Sequence, residues 1–287
     1  MNGQPAGTPD VREGQYWNSP AMRFWADHHE RIDRLLAGLT QVALDLAAPQ
    51  PGERVIDIGC GSGTTVLELA ARVGPTGHVL GIDIAERSVA RARERITAAG
   101  LRHAEVVLAD VSTYAFPPSR FDLAFSRFGV MFFADPIATF GKLRRAMKPG
   151  GRLALAVFRT RQENPWIMAA MAAIAHLLPP AAPPGPEEPG QFAWANPERV
   201  HRILEGAGFR EVSLTPHDPA MPLAGPGGAA EAADFAMQIG PAVRATLGAS
   251  AEFREAVRSG LEAFFRSQDG PQGIVLPGAI WVVRARA

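Results

Sequence analysis

The sequence is poor in several residue types, and each scarcity narrows what the chain can be. Its single cysteine, Cys60, excludes an internal disulfide and fits a reducing compartment. Lysine occurs only at Lys142 and Lys148, so arginine supplies nearly all of the positive charge. The 29 basic and 29 acidic residues cancel to a net charge of zero, which gives no electrostatic argument for binding nucleic acid.

Long apolar runs are also missing, so the sequence predicts no membrane span. The first residues lack the basic and apolar regions of a signal peptide, and we therefore expect a cytoplasmic protein. No Cys/His spacing suggests zinc, and no cluster of Asp and Asn suggests Mg²⁺, so no metal site is predicted. The oligomeric state cannot be deduced from the sequence.

The most informative stretch that is present, residues 54–63, reads RVIDIGCGSG. Val55, Ile56 and Ile58 are typical of a buried strand in a parallel sheet. Three alternate glycines follow, which allow a tight turn and a close approach of backbone N–H groups to a ligand. Apolar residues at helical spacing come next, so the turn is expected to lead into the N-terminus of a helix.

The carboxylate of Asp57, within this strand, indicates which ligand the glycine turn favours. A dinucleotide site requires G-x-G-x-x-G, whereas here Thr64 stands where the third glycine would be. Asp57 would repel a pyrophosphate, but it suits a ligand that carries positive charge, such as the ammonium and sulfonium groups of S-adenosyl-L-methionine. Two further acids, Asp83 and Asp110, follow the next two apolar runs, which puts acids at three consecutive strand ends.

The motif from Val55 to Gly63 resembles the first motif of the class I S-adenosylmethionine-dependent methyltransferases, closest to the branch of quinone C-methyltransferases and natural-product methyltransferases. The resemblance implies an α/β fold with a doubly wound, Rossmann-like sheet of seven strands in the order 3-2-1-4-5-7-6, strand 7 antiparallel. Helical insertions would form a lid at the carboxyl edge of this sheet, where such folds bind ligands. The implied cofactor is S-adenosyl-L-methionine, with S-adenosyl-L-homocysteine as the product.

The chain divides into six segments in this interpretation. Residues 1–51 are an N-terminal arm, polar over 1–14, and a lid helix over about 20–47. The cofactor-binding core follows, and then two lid insertions separated by a core helix and the sixth strand. The remaining bounds are 52–160 for the core, 161–195 for the lid insertion after strand 5, 196–219 for the core helix and strand 6, 220–277 for the second, helical lid insertion and 278–287 for the final strand.

The resemblance assigns cofactor-binding roles to residues at the strand ends. Asp83 is expected to accept hydrogen bonds from both ribose hydroxyls, and Asp110 from the adenine amino group. The Ser126 carbonyl is expected to accept one from the methionine ammonium group. Tyr16 resembles an aromatic lid over the cofactor. The full predicted cofactor set is Tyr16, Asp57, Gly59, Gly61, Gly63, Asp83, Ile84, Asp110, Val111 and Ser126.

Aromatic and sulfur-containing side chains near these strand ends predict a pocket for a flat, electron-rich acceptor. Each of them has an alternative role in packing the core or the lid. The predicted pocket residues are Trp17, Trp25, Phe128, Met131, Phe132, Trp166, Trp194 and His217, the last forming a possible base with Asp218 beside it.

Three residues are candidates for catalysis. His28 and His29 lie between Trp25 and Ile32 on one helical stripe, so at least one is expected to point inward, where it could take a proton at neutral pH. Arg127 is charged at a buried strand end and therefore needs a partner.

The predicted function is transfer of a methyl group to a small molecule, on an aromatic or heteroaromatic carbon of indole or quinol type. The motifs of DNA-amine and cytosine-C5 methyltransferases are missing, which argues against nucleic acid. O- or N-methylation by proximity, without a base, stays open. A nicotinamide-dependent oxidoreductase also stays open, because Asp83 would suit the ribose of its cofactor. A non-catalytic cofactor-binding module is the third alternative.

Overall fold

A computed structural model of the 287-residue chain describes residues 11–19, 22–178, 185, 188–239 and 241–287. Most of residues 179–189, a proline-rich stretch within the predicted lid insertion 161–195, lie outside these residues, as does the arm before residue 11. None of the helices in the described part of the chain is both long and apolar enough to cross a membrane.

The structure is built around a seven-stranded sheet covered by helices on both faces. The strands of this sheet are β1 (Arg54–Ile58), β2 (His78–Asp83), β3 (Ala104–Leu108), β4 (Phe121–Arg127), β5 (Met147–Phe158), β6 (Arg210–His217) and, at the end of the chain, β10 (Ile280–Arg286). They lie in the order β3-β2-β1-β4-β5-β10-β6. β10 runs antiparallel to both neighbours, so the predicted order, with its antiparallel final strand, is confirmed.

Helices connect the parallel strands and cover the sheet. Three of them precede β1: α1 (Val11–Trp17), α2 (Phe24–Asp27) and α3 (His29–Ala47). Within the core lie α4 (Thr64–Val73), α5 (Glu86–Ala98), α6 (Pro136–Ala146) and α8 (Pro197–Gly206). The apolar stripe of α3, which includes Ile32, Leu36 and Leu39, is buried against β4 and β5.

The two insertions form a cap at the carboxyl edge of the sheet. Its elements are α7 (Pro165–Ala173), β7 (Ala220–Ala224), α9 (Ala229–Ala236), α10 (Pro241–Thr246), α11 (Ala251–Ser267), β8 (Asp269–Gly270) and β9 (Gly273–Pro277). α11 packs on α7 and α9, and β7 packs on α3, so the cap also contacts the segment before the core.

Several local predictions were wrong. The helix predicted over 20–47 is interrupted at His28, which is the C-cap of α2 and the N-cap of α3. Residues 11–14, predicted as part of a polar arm, are helical. The second insertion, predicted as helical, contains the three-stranded sheet β7-β9-β8 in addition to the helices α9, α10 and α11. Residues 148–151, with sequence KPGG, are a bulged part of β5, where the register on β4 shifts.

Candidate functional site

The glycine turn after β1 is fixed by close backbone contacts. A Cβ on Gly59 would lie 2.7 Å from the Cα of Gly129, and one on Gly63 would lie 2.9 Å from the Cβ of Ala92 in α5. Both glycines have positive φ, which disfavours any side chain there. Gly61 is also at positive φ, but a Cβ on it would meet no atom within 4 Å, so this face of the turn is open to a ligand.

Asp57 lies beneath the turn with no exposed surface. One carboxylate oxygen, Oδ2, accepts a hydrogen bond of 2.5 Å from Thr65 Oγ1, while Oδ1 has no hydrogen-bond partner among the described residues. Burial raises the pKa of Asp57 to about 7, although the Thr65 hydroxyl and the positive charge of Arg127 oppose this shift. A cation bound at the turn would further favour the charged form.

Asp83 ends β2 and faces the same turn. Its Oδ2 accepts from the Gly61 N–H at 2.8 Å, and its Oδ1 accepts from the Ala85 N–H at 2.8 Å. Burial raises the pKa of the Asp83 carboxyl, and these backbone donors act against that rise. A carboxylate offers about four lone-pair sites, so both oxygens keep capacity for further donors such as hydroxyl groups.

The other predicted cofactor residues surround this edge of the sheet. The Asp110 carboxylate accepts from the Ser112 N–H at 2.7 Å and thereby orders the loop after β3, next to buried Val111. Ser126 is fully buried, and its hydroxyl donates to the Ile58 carbonyl at 2.7 Å. The same oxygen accepts from the Gly129 N–H at 3.2 Å, which ties the loop after β4 to the glycine turn.

α1 covers the end of β2 through a residue that the sequence analysis missed. The Asn18 side-chain amide donates to the Ile84 carbonyl at 3.0 Å, and its oxygen accepts from the Glu86 N–H at 2.9 Å. Asn18 therefore caps the N-terminus of α5 from another part of the chain. Tyr16 and Trp17 have their rings 5.4 Å apart, and Trp17 lies edge-on to Phe132 at 5.0 Å.

A second set of residues that was not predicted from the sequence joins α3 to the N-terminus of α4. The Asp33 carboxylate accepts from Thr64 Oγ1 at 2.5 Å and pairs with Arg95 at 3.2 Å. Arg95 also donates to the Ser62 carbonyl, in the glycine turn, at 2.8 Å. No local pattern marks these residues, because they come together only when three helices pack.

The three predicted catalytic residues occupy different environments. His29 is buried on the inward stripe of α3, with Nδ1 3.2 Å from the Ala26 carbonyl. His28 is exposed and stacked on Phe24 at 4.1 Å, so the inward histidine is His29. Arg127 donates to Thr40 Oγ1 at 2.5 Å, and burial lowers the pKa of its guanidinium while Asp33 and Asp57 oppose that change.

The predicted pocket residues separate into two groups. Phe128 has a φ of 66°, a strained conformation for a residue other than glycine, and stacks on Phe158 with ring centroids 4.2 Å apart. Trp166 lies 6.0 Å from Phe158 on the same edge, and Trp25 and Phe132 are half-buried.

The second group is placed differently from the prediction. Trp194 is 1 % exposed and packs on Phe140 of α6, and Met131 is also 1 % exposed, so both belong to the core instead of a pocket wall. His217 is the last residue of β6, and Asp218 pairs with Arg159 at 2.5 Å, not with this histidine. Cys60 is buried in the core, and burial raises the pKa of its thiol.

Comparison with known proteins identifies the family. A methyltransferase domain family matches residues 49–208, more than half of the chain. The chain therefore belongs to this family, and its resemblance to the class I S-adenosylmethionine-dependent methyltransferases is confirmed.

Two similar proteins illustrate this relationship. Aklanonic acid methyltransferase DauC of Streptomyces sp. is 38 % identical over 40 % of this chain and 54 % of its own length. Nocamycin O-methyltransferase of Saccharothrix syringae is 38 % identical over 39 % of this chain and 40 % of its own length. The matches thus span about half or less of each relative.

A solved structure shows the same fold at lower identity. Phosphoethanolamine N-methyltransferase 2 of Haemonchus contortus, in complex with S-adenosyl-L-methionine, superposes with a TM-score of 0.56 at 17 % identity. The superposition covers 99 % of this chain and 61 % of that one.

S-adenosyl-L-methionine is the cofactor of this family, and the residues at the turn fit it. The open side of Gly61, the unpartnered oxygen of Asp57 and the spare acceptor capacity of Asp83 suit a ligand with positive charge and ribose hydroxyls. The described residues contain no group of three or more His, Cys, Asp and Glu side chains arranged around a metal.

Asp57→Asn is expected to stabilise the free protein at high pH. The folded-state pKa of Asp57 is raised above its unfolded value, so the folded protein holds this proton more tightly and loses stability as pH rises from about 4 through 7. The neutral amide avoids this loss, which is worth about 1–4 kcal/mol at pH 8. Thermal unfolding should give a higher Tm for the variant at pH 8 and nearly equal values at pH 4.

The same substitution should weaken the binding of S-adenosylhomocysteine, since it removes a negative charge near the ligand ammonium. Asp45→Asn, on the exposed side of α3, is the control and should change neither property. A lower Tm for free Asp57→Asn at pH 8 would contradict the expected charge penalty.

Asp83→Ala is expected to weaken S-adenosylhomocysteine binding by about 1–3 kcal/mol, the range for losing hydrogen bonds to a charged group. Isothermal titration calorimetry gives the affinity, and Asp45→Ala serves as the matched control. Unchanged affinity in Asp83→Ala would rule out its predicted contact with the ribose.

Proposed function

We propose that the chain transfers a methyl group from S-adenosyl-L-methionine to a flat, electron-rich small molecule, with a ring carbon of indole or quinol type as the acceptor atom. The observation that carries this proposal is the stack of aromatic rings beside the glycine turn. Phe128 follows the end of β4, and Gly129, the next residue, touches Gly59 in the turn. A planar ligand on this stack would lie beside the cofactor.

The protein has two tasks in such a reaction, to align the acceptor with the methyl group and to exclude water. The cofactor supplies an activated methyl group. The acceptor gains the methyl group and loses one proton, and S-adenosylhomocysteine leaves. α1 and the cap cover this edge of the sheet, and the Trp17–Phe132 contact holds α1 against the loop after β4.

His29 is our candidate for the residue that takes the acceptor proton. Its Nδ1 lies at hydrogen-bond distance from the Ala26 carbonyl, which can only accept, so Nδ1 carries the hydrogen. In the neutral ring this leaves Nε2 with a free lone pair, the form that a general base needs. His28, exposed and stacked on Phe24, lacks such an orienting contact.

O-methylation is the second candidate function. The relative from Saccharothrix syringae is an O-methyltransferase, and the aromatic stack would hold a phenol as well as an indole. In that case the acceptor oxygen also loses a proton, but proximity alone can suffice when the hydroxyl is acidic.

Methyl-¹³C S-adenosylmethionine, offered with a panel of indoles, quinols, phenols and amines, tests the proposal. Mass spectrometry detects labelled product, and the ¹³C chemical shift identifies the atom that received the methyl group. We expect a carbon-bound methyl on one scaffold. A methyl bound to oxygen or nitrogen would contradict the choice of atom, and no transfer to any scaffold would favour a binding module.

His29→Ala is expected to lower turnover by about 100-fold or more, the scale of general base catalysis, with cofactor affinity nearly unchanged. His28→Ala and His201→Ala, the latter in α8 with its side chain 41 % exposed, are controls that should turn over like the parent. Steady-state kinetics is the measurement, with kcat of each variant compared with that of the parent and with the binding of S-adenosylhomocysteine measured separately. Parent-like turnover in His29→Ala would eliminate it as the base.

A further inference from the structure

Four aromatic side chains form a continuous wall at the carboxyl ends of β4 and β5. Phe128 and Phe158 are stacked with their planes only 2° apart. Trp166 and Phe192 lie 6.0 Å and 6.1 Å from Phe158, measured between ring centroids. We call these four residues the aromatic wall.

The outer end of the aromatic wall carries a cation. The guanidinium carbon of Arg161 lies 5.4 Å from the ring centroid of Phe192, a cation–π contact. Arg161 is half-buried in the loop between β5 and α7, two ring contacts away from Phe128. A positive charge therefore adjoins an otherwise apolar surface.

The acidic side chains near Arg161 form ion pairs with a different arginine, Arg159. Arg159 forms ion pairs with Glu163 and with Asp218, the latter at 2.5 Å. The second oxygen of Glu163 accepts from the backbone N–H of Thr160 at 3.1 Å and from its hydroxyl at 2.7 Å. Both oxygens of Glu163 are thus engaged, and within the described ranges Arg161 has no carboxylate partner.

Arg127, at the end of β4, differs from Arg161 in this respect. Arg127 donates to Thr40 Oγ1, and the negative charges of Asp33 and Asp57 act on it. Its charge is balanced inside the protein, whereas that of Arg161 is available to a ligand. An arginine also presents several donors in a planar fork, which matches a carboxylate or a similar oxyanion.

We propose that Arg161 determines acceptor specificity by binding an anionic group on the acceptor, at the end of the ring system away from the methylated atom. The inference rests on the proposed function and narrows its substrate class to flat aromatic molecules that carry an oxyanion, such as a carboxylate. The aromatic wall binds the rings, and Arg161 fixes which way the acceptor enters.

Two fluorescent probes that differ only in their charge can test this without knowledge of the natural acceptor. 1-Anilinonaphthalene-8-sulfonate is an aromatic anion, and N-phenyl-1-naphthylamine has the same ring system without the sulfonate. Each is titrated into the full chain saturated with S-adenosylhomocysteine. The variants are Arg161→Gln, Arg161→Lys and Phe192→Ala, and the control is Arg102→Gln, an exposed arginine before β3 with the same charge change.

The dissociation constant of the sulfonate probe should be about tenfold higher for Arg161→Gln than for the parent. The neutral probe should bind Arg161→Gln and the parent with equal affinity. Arg161→Lys should keep part of the affinity, because lysine retains the charge without the fork. Phe192→Ala should weaken both probes, and Arg102→Gln neither.

Three results would overturn the proposal: equal sulfonate affinity in Arg161→Gln and the parent, equal weakening of both probes in Arg161→Gln, or no effect of Phe192→Ala on either probe. Binding of S-adenosylhomocysteine to each variant is measured separately. If the parent does not bind S-adenosylhomocysteine, the proposed function is refuted. The comparison of the two probes would still report on Arg161.

Discussion

A carboxylate without exposed surface, that of Asp57, lies at the point where the glycine turn, β1 and the start of α4 meet. Burying a charge is costly unless partners compensate it, and Asp57 has one hydrogen bond and one unpartnered oxygen. The Thr65 hydroxyl and the positive charge of Arg127 compensate this carboxylate only in part, because its pKa is still raised to about 7. We therefore expect the turn to favour a cationic ligand, a preference that glycine geometry alone would not supply.

The elements around this carboxylate are coupled to it through polar contacts. Asp33 connects α3 to Thr64 and Arg95, and Arg95 reaches the carbonyl of Ser62 in the turn. Asn18 fastens α1 to the end of β2 and caps α5. The segment before the core is thus tied to the cofactor edge at two places.

Sequence reasoning recovered the parts of the molecule that local patterns encode. The glycine turn and the acids at the strand ends are contiguous motifs, and the resemblance built on them supplied the strand order. The sheet β7-β9-β8 escaped prediction because β7 and β9 are about fifty residues apart, are only five residues long and contain proline or glycine, which are poor strand formers. Trp194 was misassigned since a tryptophan suits a pocket and a core equally well, and only packing on Phe140 separates them.

The aromatic wall shows how acceptor choice can change without loss of the cofactor site. Its inner rings, Phe128 and Phe158, come from strand ends of the core, next to the turn. Its outer part, Trp166 and Phe192, comes with the adjoining Arg161 from the insertion after β5. Substitutions in the insertion alter the outer end of the wall but leave Asp57, Asp83 and the glycine contacts in place. In the proposed function, the core therefore holds the methyl donor, while the insertion after β5 forms the outer end of the surface that binds the acceptor.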